Sequence, residues 1–322
     1  MFKSKTNILA ALLAASAICA GAAHASYPER SINIVVPFSA GGSTDIVARV
    51  LANGLTKALG QSVVVENKPG ASGNIAGDYV ARSKPDGYTL FMGTSTSIAN
   101  IALFKKLPFD ILKDFIPVSQ IAHTPLVLVV NNSLPADDVS GLIELARKKP
   151  GELNYGSGGP GTSQHLGGVM FSTMAKVEMT HVPYKGAAPA MTDLIGGSIQ
   201  MVFAPLIDAL SFIRSGKVKA LGLTTSKPAP QVPEIPLISK TLPGFEVATW
   251  NAIFVPAGTP AAVIDTLSRK IAEVMHSPEI RKSIEQQGSE AIGSTPADFK
   301  AFLDKEVILW KGLVESSGAA AN

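Results

Sequence analysis

The chain has 322 residues, 46% of them hydrophobic and only 16% charged, enough apolar side chain for a large core and too much for a disordered chain. Lysine and arginine exceed aspartate and glutamate by only 28 − 25 = 3, which leaves no electrostatic footprint for nucleic acid or an anionic membrane. The 29 glycines and 22 prolines mark many short turns, and coiled coil, collagen and disulfide scaffold are excluded.

The first element is an address label. Lys3 and Lys5 precede an apolar run from Ile8 to Ala20, and Ala23-His24-Ala25 fits a cleavage site. As a helix the run would rise about 20 Å, short of the roughly 30 Å of a bilayer core. Residues 1–25 are therefore expected to be a signal peptide cleaved after Ala25, with the mature protein exported. The only cysteine, Cys19, lies inside it, so the mature chain can form no disulfide, cysteine–zinc site or thiolate nucleophile.

Short β-rich runs then alternate with amphipathic stretches. Ile32 to Val36 reads as a strand, followed by a helix whose Ile46, Val47, Val50, Leu51, Leu55 and Leu59 share one face and which Gly60 stops. Val63 to Glu66 is a strand, Asn74 to Ser83 a helix and Thr89 to Met92 a strand. After the Pro117–Pro125 region come strands at Leu126 to Val130, Leu153 to Tyr155, Thr180 to Val182, Ile199 to Phe203 and Val218 to Leu223. Helices fall between them at Val139 to Lys148, Gln164 to Met174, Pro189 to Ile195 and Ile207 to Arg214. Ser226 to Pro243 is Pro-rich and charge-poor and is expected to run over the surface as a linker. A strand around Val247 to Val255 and two or three helices follow, the last from Pro296 to Ser316. Near-continuous apolar strands between helices indicate mainly parallel sheets with helices on both faces. Two α/β lobes are expected: residues 26–124, then 125–244, with 245–322 returning to the first.

Four strand ends carry glycines and small hydroxyls instead of bulk: Phe38-Ser39-Ala40-Gly41-Gly42-Ser43-Thr44, Gly93-Thr94-Ser95-Thr96-Ser97, Gly156 to Ser163, and Ala204-Pro205. In open α/β sheets ligands lie beyond the carboxyl ends of strands. A glycine turn there lets backbone N–H groups approach, and the next helix offers unpaired donors with partial positive charge. The set suits a small anion held without a salt bridge; the plainer reading is tight turns with Ser/Thr caps. Gly156, Gly158 and Gly161 also satisfy G-x-G-x-x-G. The acidic residue that should end the following strand is missing, however, and Val182-Pro183-Tyr184 stands there.

Catalytic constellations are sparse: no G-x-S-x-G, no H-E-x-x-H and no cysteine pair. His123, His165, His181 and His276 have no metal-ligand spacing, so neither a metal nor a cofactor is expected. His276 reads as a helix C-terminal cap. His165 follows the third loop and either donates to a ligand or packs against a neighbouring loop. Asp45 would repel an anion and reads as a brace of the helix start. Tyr184 could reach the cleft from the second lobe, and Trp250 walls the pocket or sits in the core.

Together these stretches resemble a known family. Val-Pro-Phe-Ser-Ala-Gly-Gly-Ser-Thr-Asp from Val36, Glu-Asn-Lys-Pro-Gly-Ala-Ser-Gly from Glu66 and Pro-Asp-Gly-Tyr-Thr-Leu from Pro85 open the series. Asn-Tyr-Gly-Ser-Gly-Gly-Pro-Gly-Thr-Ser-Gln-His-Leu from Asn154, His-Val-Pro-Tyr-Lys-Gly from His181 and Val-Pro-Ala-Gly-Thr-Pro from Val255 complete it. In this order they resemble the Bug-type substrate-binding receptors of tripartite tricarboxylate transporters. The resemblance implies a two-lobe, type II-like periplasmic binding protein, not an enzyme, whose lobes are joined by two crossover strands and close on a small carboxylate. It implies a ligand held by Ser39 to Thr44 and Thr94 to Ser97 on one side. Ser157, Thr162, Ser163, His165 and the Ala204 region would hold it on the other. Ala204 stands where many members carry an acidic or small polar residue, which bears on recognition of a ligand amino group. The implied partners are a mono-, di- or tricarboxylate and the subunits of the membrane transporter, with the receptor itself a monomer. Two other readings stay open: an exported hydrolase using a loop serine with His165 as base, and a sensor docking on a signalling protein.

Overall fold

The computed structural model describes residues 27–317. The expected signal peptide lies outside them.

The first half begins with β1 (Ile32–Val36), helix α1 (Ser43–Leu59), β2 (Val63–Asn67), α2 (Asn74–Ala81), β3 (Thr89–Thr94) and α3 (Ser95–Leu103). β1 lies between β2 and β3 with all three parallel, Ile34 opposite Val65 on one side and Leu90 on the other. The helical periodicity of α1 buries Val47, Ala48, Leu51 and Leu55 completely, or nearly so, against this sheet. α1 ends where Gly60 turns left-handed at φ 69° and its N–H bonds the Thr56 carbonyl.

β4 then runs as one strand from Phe115 to Asn131. It is followed by α4 (Val139–Lys148), β5 (Asn154–Ser157), α5 (Ser163–Ala175), β6 (Thr180–Pro183), α6 (Ala187–Gly196), β7 (Met201–Pro205), α7 (Leu206–Arg214) and β8 (Val218–Leu223). The chain returns through β9 (Ala248–Pro256), α8 (Ala261–Met275), α9 (Pro278–Gln286), β10 (Glu290–Ala291) and α10 (Pro296–Ser317).

The strand order is β2-β1-β3-β9-β4-β7-β5-β6, with β8 and β10 also on β4. From Phe115 to Pro125, β4 pairs antiparallel with β9; from Leu126 to Asn131 it pairs antiparallel with β7 and β8. One strand thus serves two α/β lobes. Each lobe keeps three parallel strands, β2-β1-β3 and β6-β5-β7, and is closed toward β4 by antiparallel pairings. The sheets are mixed where apolar runs alone suggest parallel ones, because the returning β9 and the shared β4 run against their neighbours.

β4 is also longer than the strand expected at Leu126 to Val130. Pro117 cannot donate to a ladder, and the register with β9 slips between Pro117 and Ser119, accommodating it as a bulge. The segment from Ser226 to Pro243 runs over the surface as expected, with most of its residues exposed, but it is anchored rather than a loose linker. Val232, Ile235 and Ile238 are buried against the second lobe, and Leu223 forms a parallel bridge with Leu237. Its prolines set an extended path while its spaced aliphatics supply the packing. Helix α10 lies against α3 of the first lobe, α5 of the second, and β4 between them. Among the described residues no helix is long and apolar enough to cross a membrane.

Candidate functional site

Five helices begin at one place. Gly42, Ser43 and Thr44 open α1, Thr94 and Thr96 open α3, and Thr162, Ser163 and Gln164 open α5. Gly186 and Ala187 open α6, and Pro205 precedes α7. With Phe38, Gly158 and Thr249 these fourteen residues line an interlobe cavity of about 40 Å³, room for a few waters or one small acidic group. None of them carries a charge, and the wall combines helix N-terminal residues, hydroxyls and one carboxamide with the apolar Phe38, Ala187 and Pro205. Each helix start contributes partial positive charge, so the cavity favours an anion although no lysine or arginine lines it.

The donors are held from behind. Asp45 accepts from the Gly41 N–H at 2.9 Å, Arg49 at 2.9 Å and Asn67 at 3.0 Å. Burial raises its pKa, but these partners outweigh burial and hold the carboxyl below its ordinary range. Asn67 also donates to the Phe38 carbonyl at 3.0 Å, so the Phe38–Gly42 loop is tied to β2. The reading of Asp45 as a brace is what the geometry shows. Gln164 accepts the Gly158 N–H through Oε1, leaving its NH₂ free. Thr94 Oγ1 is buried at the N-cap of α3 in a capping box with Ser97, and its own proton has no acceptor among the described residues.

Across the cleft the lobes touch directly. The Ser39 N–H and hydroxyl both donate to the Lys185 carbonyl, at 3.1 and 2.9 Å. Gly186, at φ 144°, lies so close that a Cβ there would stand 3.3 Å from the Ser39 nitrogen. A second chamber of about 270 Å³ shares Phe38 and Gly158 with the first and is lined mainly by Phe104, Pro160, Pro183, Tyr184 and the 70–73 turn, with Lys185 at its edge.

Several residues of the sequence pattern stand outside the inner cavity wall. Ser39 forms the interlobe contact, Gly41 bonds Asp45, and Ala40 is exposed. Ser95 bonds the Thr249 hydroxyl at 3.0 Å, and the Ser97 hydroxyl accepts the Thr94 N–H at 3.3 Å. Tyr184 donates to Asp193 at 2.6 Å, and Ala204 is fully buried beside Pro205. Trp250 is core, its indole donating to Glu306 at 2.6 Å.

Ser157 is buried and paired with His181 Nε2 at 2.6 Å, rather than with His165. His165 Nδ1 instead accepts the Gly161 N–H at 3.1 Å, which fixes a neutral ring. The two rings lie 4.2 Å apart. Desolvation pushes His165 down to about 4; desolvation, then the charge of His165, pushes His181 to about 3. So weak a base is a poor activator of Ser157 at neutral pH.

Gln164, Ala187 and Thr249 line the cavity without having been singled out as site residues, whereas Thr96, Gly158 and Gly186 fall in stretches expected to reach it. Gln164 lies within the third loop's continuation into α5, where a polar residue in the first helical turn is the available signal. Thr249 arrives from the returning strand β9, which spacing along the chain cannot reveal. A larger groove of about 640 Å³ surrounds His123, Glu246, Glu285 and Glu290 near the middle of β4, but its carboxylates would repel an anion.

The sequence pattern of the tripartite tricarboxylate transporter family receptor matches residues 47–319. The chain belongs to that receptor family. It is 35% identical to protein BugT of Bordetella pertussis over 320 residues, 98% of each chain. Among solved structures, R. palustris Rpa4515 with adipate superposes with a TM-score of 0.89 at 36% identity, covering 91% of this chain and 99% of the other. MatC from Rhodopseudomonas palustris with bound malate superposes with a TM-score of 0.86 at 31% identity, covering 89% and 100%. These similarities agree with the two-lobe α/β fold described above. The family consists of substrate-binding receptors, and two of its solved structures hold small carboxylic acids. Among the described residues no group of three or more potential metal ligands is assembled.

Proposed function

We propose that the chain is a periplasmic, non-catalytic and monomeric receptor that captures a small organic carboxylate between its lobes and hands it to a tripartite tricarboxylate transporter. The observation that carries this reading is the convergence of five helix N-termini on one uncharged cavity. A carboxylate there accepts backbone amides of α1 and α5 and the hydroxyl proton of Thr94. The inner space takes one carboxylate group. The rest of the acid extends past Phe38 into the outer chamber, with Lys185 at the rim for a second negative end. Contacts from both lobes favour the closed form, since a ligand shifts an equilibrium only by its differential affinity for the two states.

The lobe boundary belongs to the same proposal. β4 exchanges β9 for β7 and β8 between Pro125 and Leu126, which supports a first crossing at residues 124–125. The Val247 N–H bonds Thr224, whose own N–H bonds Leu126, supporting a return near residue 245.

Isothermal titration against adipate, malate and aromatic diacids tests the reading: saturable binding of at least one acid is expected. Absence of binding across the panel would remove it. Export is tested separately, by periplasmic fractionation of the full-length chain and mass measurement of its new N-terminus at Ser26.

A further inference from the structure

Asp208 lies in the first turn of α7, one turn beyond the cavity-lining Pro205, and none of the functional patterns in the sequence includes it. Both of its carboxylate oxygens are buried, and neither has a hydrogen-bond partner. An ionised carboxylate does not rest easily in such a place. Its nearest polar neighbours are the amide and hydroxyl of Ser43, which approach without completing a bond. Ser43 lines the cavity and Asp208 does not, so the serine hydroxyl stands between the acid and whatever fills the cleft.

Among the described residues no charge compensates Asp208. α7 packs against β4, β7, β8 and α6, whose titratable groups are His123 on β4, Lys219 on β8 and Asp193 on α6, with none on β7. Arg214 lies at the far end of α7 itself, and α1, which brings Ser43, carries Asp45, Arg49 and Lys57. None of these acts on Asp208. Asp193 is engaged by Tyr184, Lys219 by Asp137, and Asp45 by Arg49. Burial alone pushes Asp208 up to about 7, against the smaller opposing pull of Ser43.

We propose that Asp208 is a proton-carrying positioning residue: when a carboxylate occupies the cleft, Asp208 is protonated and donates to Ser43 Oγ, turning the Ser43 O–H toward the ligand. This rests on the receptor reading above. The proton comes from solvent. No covalent bond is made or broken, and the ligand stays ionised. In the empty cleft an ionised Asp208 competes for the same serine proton. A second carboxylate in this closed, uncharged space makes two like charges, and one of them must be neutralised. Capture of the acid is therefore coupled to uptake of one proton. Direct pairing of Asp208 with a ligand ammonium is disfavoured because Ser43 intervenes.

Two measurements test this, one without any ligand. In the ligand-free protein the Asp208 side-chain carbon, assigned by its loss in Asp208→Asn, should titrate by NMR with a midpoint near 7; a midpoint below about 5 overturns the proposal whatever the protein binds. Calorimetric titration with adipate between pH 6 and 8.5, in phosphate and in Tris, should show uptake approaching one proton at the alkaline end. Affinity should be flat below the midpoint and fall by up to about tenfold per pH unit above it. Asp208→Asn, a permanent donor, should bind without proton uptake and with a flat pH profile. Adipate binding with no proton uptake in the unmodified protein, or an unchanged pH profile in the variant, overturns the coupling, as does preference for amino acids through an ionised Asp208. Failure of every acid to bind, with the NMR midpoint near 7 intact, counts against the receptor reading and leaves the unusual acid established.

Discussion

At the scale of the residue, Thr94 brings to the wall of the cleft a buried hydroxyl that caps α3 and whose proton has no acceptor among the described residues. Thr94→Val should keep the shape and lose the donor, lowering affinity for the bound acid by about 0.5–1.5 kcal/mol, whereas Thr94→Ser should retain most of it. Titration calorimetry on the pair checks this; equal affinities would place the ligand elsewhere. The two adjacent histidines carry a pH prediction. Both are neutral in the fold, with pKa values of about 4 for His165 and about 3 for His181, while an unfolded histidine titrates near 6.5. Between those values the unfolded chain binds more protons, so their stability contribution is complete above pH 6.5 and drains away as pH falls toward 4. Melting temperature should drop over that window, and less steeply in His181→Gln. Residues of this kind divide by how visible they are in the sequence. Ser43, Thr44, Thr162 and Ser163 follow glycines at strand ends, a local signal that chain order preserves. Thr249 and Asp208 are placed by long-range pairing and by helix packing, and neither has a neighbour that betrays its position.

At the scale of the element, the proposed binding mode gives the helix starts the electrostatic work that a basic side chain does elsewhere, and the glycines beside them decide how near the lobes can come. Gly186 has the left-handed φ that a β-branched residue resists, and its Cβ would crowd the Ser39 amide. Gly186→Val should therefore cut affinity for the acid more than tenfold while both lobes stay folded, and small-angle scattering should show no compaction on adding it. Full compaction would mean that the backbone contact between Ser39 and Lys185 is dispensable. Elements with a strong local code could be read from the chain: β1, β8 and α4 have the expected limits, α4 because Asp138 caps it through the Gly141 N–H at 2.7 Å. α3 was hidden inside what reads as a polar loop, Ser95-Thr96-Ser97, because its apolar residues, Ile98, Ala99 and Leu103, come only afterwards. The length of β4 was masked by Pro117 and Pro125, prolines that a bulge and a change of partners accommodate.

At the scale of the whole molecule, Glu306 of α10 accepts the indole N–H of Trp250 and that of Trp310, each at 2.6 Å, pinning the last helix over the strands shared by the lobes. Glu306→Ala leaves two indole donors short of a partner and should cost about 1–3 kcal/mol for each that stays buried, seen as a lower midpoint in urea. Asp208 should pull the other way: its raised pKa means stability is greatest at low pH and lost as pH rises from about 4 through 7. Asp208→Asn should thus raise the melting temperature more at pH 8 than at pH 4.5, and in that background the histidine effect stands alone. The strand from Phe115 to Asn131 bears on all of this, because each lobe borrows one end of it as the wall of its own sheet. Cutting the chain between Thr124 and Pro125 would leave two fragments, each with a raw hydrogen-bonding margin and neither able to fold without the other. Calorimetry of the intact protein should accordingly record one endotherm. Under the receptor reading, the same continuity would make opening a flexure of a common spine, not the swing of two bodies on a loose tether.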